Sequence, residues 1–206
     1  MIRRRFLSVL ILFAFAAVAG GVGPVLAEDG PRVTRTGHVY LFRGFANVFS
    51  TGMNVLTEEL RRNGIKADVY NHTGYAAIAA QAAKEYAASK GREPIFIVGH
   101  SLGGDAAISM AALLEQQKVP VTLLVIYDAY APPVVPTNVR RVINYNQYAV
   151  QDSPGAKLRT APGFKGKSED INVAEKTAGI DHFNIDKQKS LHDATVKAIL
   201  AQTRRK

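Results

Sequence analysis

From residue 38 onward, short runs of β-branched and aromatic residues alternate with longer stretches in which apolar side chains recur every three or four positions. The short runs predict strands at 38–42 (HVYLF), 65–70, 94–98 (PIFIV), 121–127 (VTLLVIY) and 139–146. The longer stretches predict four helices. One covers 52–63, with Met53, Leu56 and Leu60 on one face and Gly64 as its stop; the next covers 73–90, with Thr73 as a cap and Gly91 as a stop. The others cover 102–118 and 186–202, the last with Leu191, Ala194, Ala198 and Ile199 turned inward. The fourth strand is apolar throughout, which a strand covered on both faces requires. Pro132, Pro133 and Pro136 stiffen the loop after it, and a long loop rich in Gly and Lys precedes the closing helix. This order predicts an α/β fold: a doubly wound, mostly parallel sheet with helices on both faces. No long insertion follows the fourth strand, so no large lid is expected. In such sheets binding sites form beyond the carboxyl ends of the strands, so the residues following each strand carry the chemistry.

Residues 1–27 do not share this pattern. Arg3, Arg4 and Arg5 open the chain, an apolar run broken only by Ser8 follows to Ala19, and Gly20, Gly21, Gly23 and Pro24 interrupt it before Val25-Leu26-Ala27. A basic start, a short apolar run and a small residue ahead of a polar stretch predict a cleavable export signal, cut after Ala27. That leaves 28–206 as one domain, periplasmic or secreted, with no stable membrane insertion. An uncleaved anchor is the alternative, and the Gly/Pro break argues against it. Arg3-Arg4-Arg5-Phe6-Leu7 also resembles the twin-arginine signature, so the export route stays open.

The sequence has no cysteine, which excludes disulfides, thiolate metal sites, cysteine nucleophiles and a lipid-bearing cysteine at the cleavage point. Stability must then come from packing alone. Without the three leader arginines the 26 basic residues become 23 against 17 acidic ones, a net charge of +6. The excess gathers at Lys157, Arg159, Lys165, Lys167 and in 187–206. It suits a weak contact with anionic envelope components; a solvated basic face is the plainer reading. No zinc-finger spacing and no interleaving of aromatic with basic residues points to nucleic acid.

The third predicted strand runs into Gly99-His100-Ser101-Leu102-Gly103-Gly104, a G-x-S-x-G pattern between a strand and a helix. There a sharp turn holds a serine in a strained conformation with its hydroxyl outward, and glycines are needed where side chains would meet backbone. The following helix adds its positive dipole end. The bland alternative is a glycine-rich turn carrying an idle serine. The stretch 96–104 (FIVGHSLGG) resembles the nucleophile segment of lipases, esterases and thioesterases of the α/β-hydrolase family. Element order extends the resemblance over most of 28–206, while sharp motif identity stays within this segment. The resemblance implies a serine hydrolase that cleaves a carboxylic ester or thioester, a small-molecule or acyl substrate, through an acyl-serine intermediate. It implies no cofactor, and a triad in the chain order serine, acid, histidine.

A serine hydroxyl needs a base, and histidine titrates near neutrality. His38 and His72 precede the serine and break the order; His100 lies inside the turn; His192 lies within the closing helix. His182, in a loop just before that helix, occupies the place the family gives its base. The acid is Asp128, directly after the apolar fourth strand, or Asp152, in a looser polar turn after the fifth; Asp128 is preferred because its position is better fixed. Asp181 adjoins the base and is expected to point elsewhere. The oxyanion hole is expected from the N–H of Leu102 and from the loop after the first strand, at Phe45, where this chain has Arg43-Gly44 and many relatives have His-Gly. Phe45, Phe49 and Tyr130 either line an acyl pocket or belong to the rim or core. No paired histidine spacing suggests a metal. Two other classes stay open: acyl transfer to an alcohol by the same triad, and a non-catalytic binding protein on a hydrolase scaffold.

Overall fold

Strand β4 (Leu123–Tyr127) shows how the sheet is built. Leu124 and Ile126 face one side, Leu123, Val125 and Tyr127 the other, and all five are buried. Removing one such side chain from water stabilises the fold by about 1.5–3 kcal/mol, so a strand in this position favours apolar residues on both faces. The computed structural model describes residues 31–45, 50–148 and 157–206. The leader 1–27, Phe49 and Asp152 lie outside the described residues.

The sheet has six strands in the order β2-β1-β3-β4-β5-β6, and every pairing is parallel. The others are β1 (His38–Arg43), β2 (Lys66–Asn71), β3 (Ile95–His100), β5 (Arg141–Asn146) and β6 (Lys167–Asn172). Four helices cover it: α1 (Gly52–Arg62), α2 (Tyr75–Ala88), α3 (Leu102–Gln116) and α4 (Lys189–Leu200). One face packs Tyr40, Phe42, Ile97, Leu124 and Ile126 against α2 and α3, where alanines let the helices lie close. The opposite face packs Val39, Leu41, Val98 and Val125 against Met53, Leu56 and Leu60 of α1 and Ile199 of α4. This is the expected doubly wound α/β-hydrolase architecture, with the strands wholly parallel. From β1 the chain crosses to β2 on one side; from β2 it crosses back to β3 on the other. The sheet order therefore reverses between β1 and β3, where a crevice opens at the carboxyl ends.

Three expectations need correction. The loop foreseen after β5 contains β6, whose sequence KSEDIN is polar because an edge strand is half in water; Lys and acids there also discourage edge-to-edge pairing. Helix α4 begins at Lys189, after a short 3-10 turn at Ile185–Lys187. Its buried residues are His192, Thr195 and Ile199; Leu191 and Ala198 pack half-buried against the same core as expected, while Ala194 is exposed. Of the buried three, Thr195 is polar because Tyr127 points its hydroxyl at this helix, 2.6 Å from Thr195 Oγ1 and 3.1 Å from the Leu191 carbonyl, and His192 because its Nε2 bonds the Asp186 carbonyl at 2.6 Å.

Candidate active site

Ser101 sits where β3 turns into α3, with φ 58° and ψ −128°. A side-chain-bearing residue avoids that region, and holding it there costs about 1–3 kcal/mol. The surroundings impose it. The Ser101 N–H donates to the Tyr127 carbonyl at 3.1 Å, and the Ser101 carbonyl accepts from Gly104 N–H at 2.8 Å as the helix begins. A Cβ on Gly99 would be driven into the Gly103 carbonyl, and one on Gly103 into the carbonyl of Phe42. Both obstacles are backbone and cannot step aside, so the two glycines permit the turn that lifts the Ser101 hydroxyl above the sheet.

Asp128 follows β4 in a left-handed conformation, φ 48°, and its N–H donates to the Tyr145 carbonyl at 2.8 Å. Its carboxylate is completely buried. Oδ2 lies 2.6 Å from His182 Nδ1, and His182 Nε2 lies 2.9 Å from Ser101 Oγ. A carboxylate accepts, so Nδ1 carries the ring hydrogen, Nε2 is bare, and the Ser101 hydroxyl donates to it. The Asp128 hydrogen bond raises the pKa of His182 above its ordinary 6.5, against partial burial, which lowers it. Gln147 Nε2 reaches the same Oδ2 at 3.4 Å, while Oδ1 has no hydrogen-bond partner among the described residues.

The other histidines stand apart from the Ser101 hydroxyl. His38, at the start of β1, is held between Glu85 and Asp68; His192 donates from Nε2 to the Asp186 carbonyl at 2.6 Å; His72 lies in the 3-10 turn after β2. His100 is buried beside Ser101 and bonds Ser50 and the His182 carbonyl instead. Asp181 accepts from the N–H of Phe183 at 2.8 Å and so turns away from the ring. The N–H groups of Leu102 and Phe45 have no acceptor among the described residues.

A cleft of about 440 Å³ opens over Ser101 and His182. Phe45 and Tyr130 line it, together with Tyr148, Phe183 and Gln147, which the sequence did not single out. Phe45, Tyr130 and Phe183 are each more than half exposed, an apolar rim around a polar floor. Tyr148 stays protonated: burial and the Asp128 charge push its pKa up to about 12. Phe183 had a usable signal in its adjacency to His182; Gln147 and Tyr148 had only their place after β5.

The fold and this arrangement define a serine hydrolase of the α/β-hydrolase class. The chain belongs to the thioesterase domain family, which matches residues 35–153, more than half its length. That stretch includes Ser101 and Asp128 and ends before His182. Among solved structures, ClbQ from the colibactin NRPS/PKS pathway superposes with a TM-score of 0.51 at 12% identity, covering 81% of this chain and 98% of that one. The NocB thioesterase domain in covalent complex with a fluorophosphonate nocardicin G analog gives 0.48 at 14% identity, covering 80% and 93%. YbtT, a type II thioesterase from the yersiniabactin NRPS/PKS pathway, gives 0.45 at 15%, covering 79% and 92%. At 12% identity the ClbQ likeness speaks to fold alone. No curated protein matches the sequence.

Proposed function

We propose that the protein hydrolyses an ester or thioester through an acyl-serine intermediate on Ser101. His182 Nε2 takes the hydroxyl proton as Oγ attacks the acyl carbon, then gives that proton to the departing alkoxide or thiolate. Water repeats the exchange: His182 takes its proton, its oxygen attacks the acyl carbon, and Ser101 leaves with the proton restored. Asp128 fixes the tautomer of His182 and stabilises the imidazolium. The N–H groups of Leu102 and Phe45 receive the negative oxygen, and the apolar rim takes the acyl group. The observation that carries this reading is the pair of distances at one imidazole, 2.9 Å to Ser101 Oγ and 2.6 Å to Asp128 Oδ2.

A fluorophosphonate probe and p-nitrophenyl esters test it. Ser101→Ala should abolish labelling and lower turnover by at least about 10³-fold while the protein stays folded. Undiminished labelling or turnover in that variant sinks the reading. Asp128→Asn should cripple turnover and Asp152→Asn should not; the reverse result makes Asp152 the acid.

The proposed localisation is periplasmic or secreted, on the strength of the leader at 1–27. N-terminal sequencing of the exported protein should begin at Glu28. A product starting at Met1 in the membrane fraction overturns this.

A further inference from the structure

We infer that Ser50 and His100 are positioning residues, which lock the loop after β1 and the His182 backbone in register with Ser101; the inference rests on the hydrolase reading above. His100 is nearly inaccessible to water. Its Nε2 lies 2.8 Å from the His182 carbonyl oxygen, and its Nδ1 lies 2.8 Å from Ser50 Oγ. The Gly44 N–H reaches the same Ser50 oxygen at 2.9 Å.

The donors and acceptors follow from chemistry alone. A carbonyl only accepts, so His100 Nε2 carries a hydrogen. Burial pushes the His100 pKa down to about 4, which keeps the ring neutral and Nδ1 bare. Ser50 must therefore give its single hydroxyl proton to Nδ1, and its lone pair accepts from Gly44. The line runs in one sense: Gly44 N–H to Ser50, Ser50 O–H to His100, His100 N–H to the His182 carbonyl.

Each end of this line touches a proposed catalytic element. Gly44 immediately precedes Phe45, whose N–H is the proposed second oxyanion donor. His182 supplies the base from the same residue whose carbonyl is tied down. His100 sits next to Ser101 in the chain. Three loops that are far apart in sequence, after β1, after β3 and before α4, thus share one chain of hydrogen bonds. Ser50 lines the cleft, yet its proton is committed to His100, so it has none to give a substrate. Its contribution acts through Gly44 and His182, and a misplacement of about 1 Å among such groups costs on the order of 10²-fold in rate.

The test uses the full chain with p-nitrophenyl butyrate and a fluorophosphonate probe. Ser50→Ala should lower kcat by about 10- to 10²-fold, with KM within about threefold and the labelling rate falling in parallel. The acid limb of its pH profile should stay in place, because the line reaches the His182 backbone and not its ring. His100→Gln retains an N–H for the His182 carbonyl and should keep more activity than His100→Leu, which cannot donate. Unchanged kcat in Ser50→Ala overturns the inference. So does a rise in KM alone, which would put Ser50 in contact with substrate, or equal activity in the two His100 variants. These outcomes leave the hydrolase reading standing as long as Ser101→Ala is inactive; an active Ser101→Ala removes that reading instead.

Discussion

Asp128 holds the most constrained side chain in the site. Its backbone is left-handed, its carboxylate is fully buried, and one of its two oxygens has no hydrogen-bond partner among the described residues. A buried anion in that state is tolerable only where something positive appears beside it. His182 becomes that positive group when it takes the Ser101 proton. The same interaction raises the His182 pKa above 6.5 in the resting protein. The base works when neutral, so activity should fall as pH drops through this raised value, and the acid limb of kcat/KM should lie above pH 6.5. Asp128→Asn should move that limb to lower pH while lowering kcat by roughly 10³–10⁴-fold, since an amide can present the wrong partner to Nδ1. A limb that stays put in Asp128→Asn would show that the carboxylate does not set the His182 pKa. Residues of this kind were legible in unequal measure. Ser101 announced itself through the glycines at 99 and 103, whose absence of side chains is a local steric necessity. His182 was reachable through chain order. Ser50 was not, because its partners, His100 and through it His182, lie 50 and more residues away and no spacing rule connects them.

At the scale of elements, the start of α1 is secured from the far end of the chain. Thr51 makes no side-chain cap, and the Gly52 N–H donates to Asp186 Oδ2 at 2.9 Å, across 134 residues. Asp186 is fully buried, and burial raises its pKa from 3.8 to about 6. A carboxyl raised on folding binds a proton in the native state where the unfolded chain has released it. Its favourable contribution is therefore complete below pH 3.8 and is lost as pH rises through about 6. Asp186→Asn keeps an oxygen for Gly52 and removes this titration. Relative to the parent, the variant should gain on the order of 1–3 kcal/mol between pH 4 and pH 8. Thermal melts at the two pH values would show this as a change in the Tm difference of roughly 2–4 °C per kcal/mol. A Tm difference independent of pH contradicts the argument. This cap also marks the limit of reading elements from sequence. Helices with an apolar stripe and strands with continuous apolar residues were visible because burial dictates their composition. Strand β6 was invisible because KSEDIN carries a single apolar residue, and α4 misled because buried hydrogen bonds, Thr195 to Tyr127 and His192 to the Asp186 carbonyl, hold two polar residues inward.

At the scale of the molecule, the two ends of the sheet have different tasks. The carboxyl ends of the strands carry Ser101, Asp128 and the cleft. The amino end of β1 is preceded by a segment bound to the last residues of the chain. Thr36 N–H donates to the Arg204 carbonyl at 2.9 Å, Lys206 N–H to the Thr34 carbonyl at 2.8 Å, and Arg204 N–H to Thr36 Oγ1 at 3.0 Å. The Lys206 ammonium also pairs with Glu93 at 3.1 Å, but that pair is half-exposed and contributes little. With no cysteine available as a staple, this short antiparallel bridge is what ties the two termini of the described unit together. Each hydrogen bond contributes about 0.5–1.5 kcal/mol net. Deleting residues 204–206 should therefore cost roughly 1.5–4.5 kcal/mol, a Tm decrease of about 2–4 °C for each kcal/mol lost. The catalytic elements lie at the opposite ends of the strands, and the bonds of residues 204–206 go to Thr34, Thr36 and Glu93, so kcat and KM should match the parent at temperatures well below the melt. Equal Tm in the truncated chain would mean the bridge contributes nothing. A fall in kcat without a fall in Tm would mean that the two ends of the sheet are coupled, which its rigid parallel core gives no reason to expect.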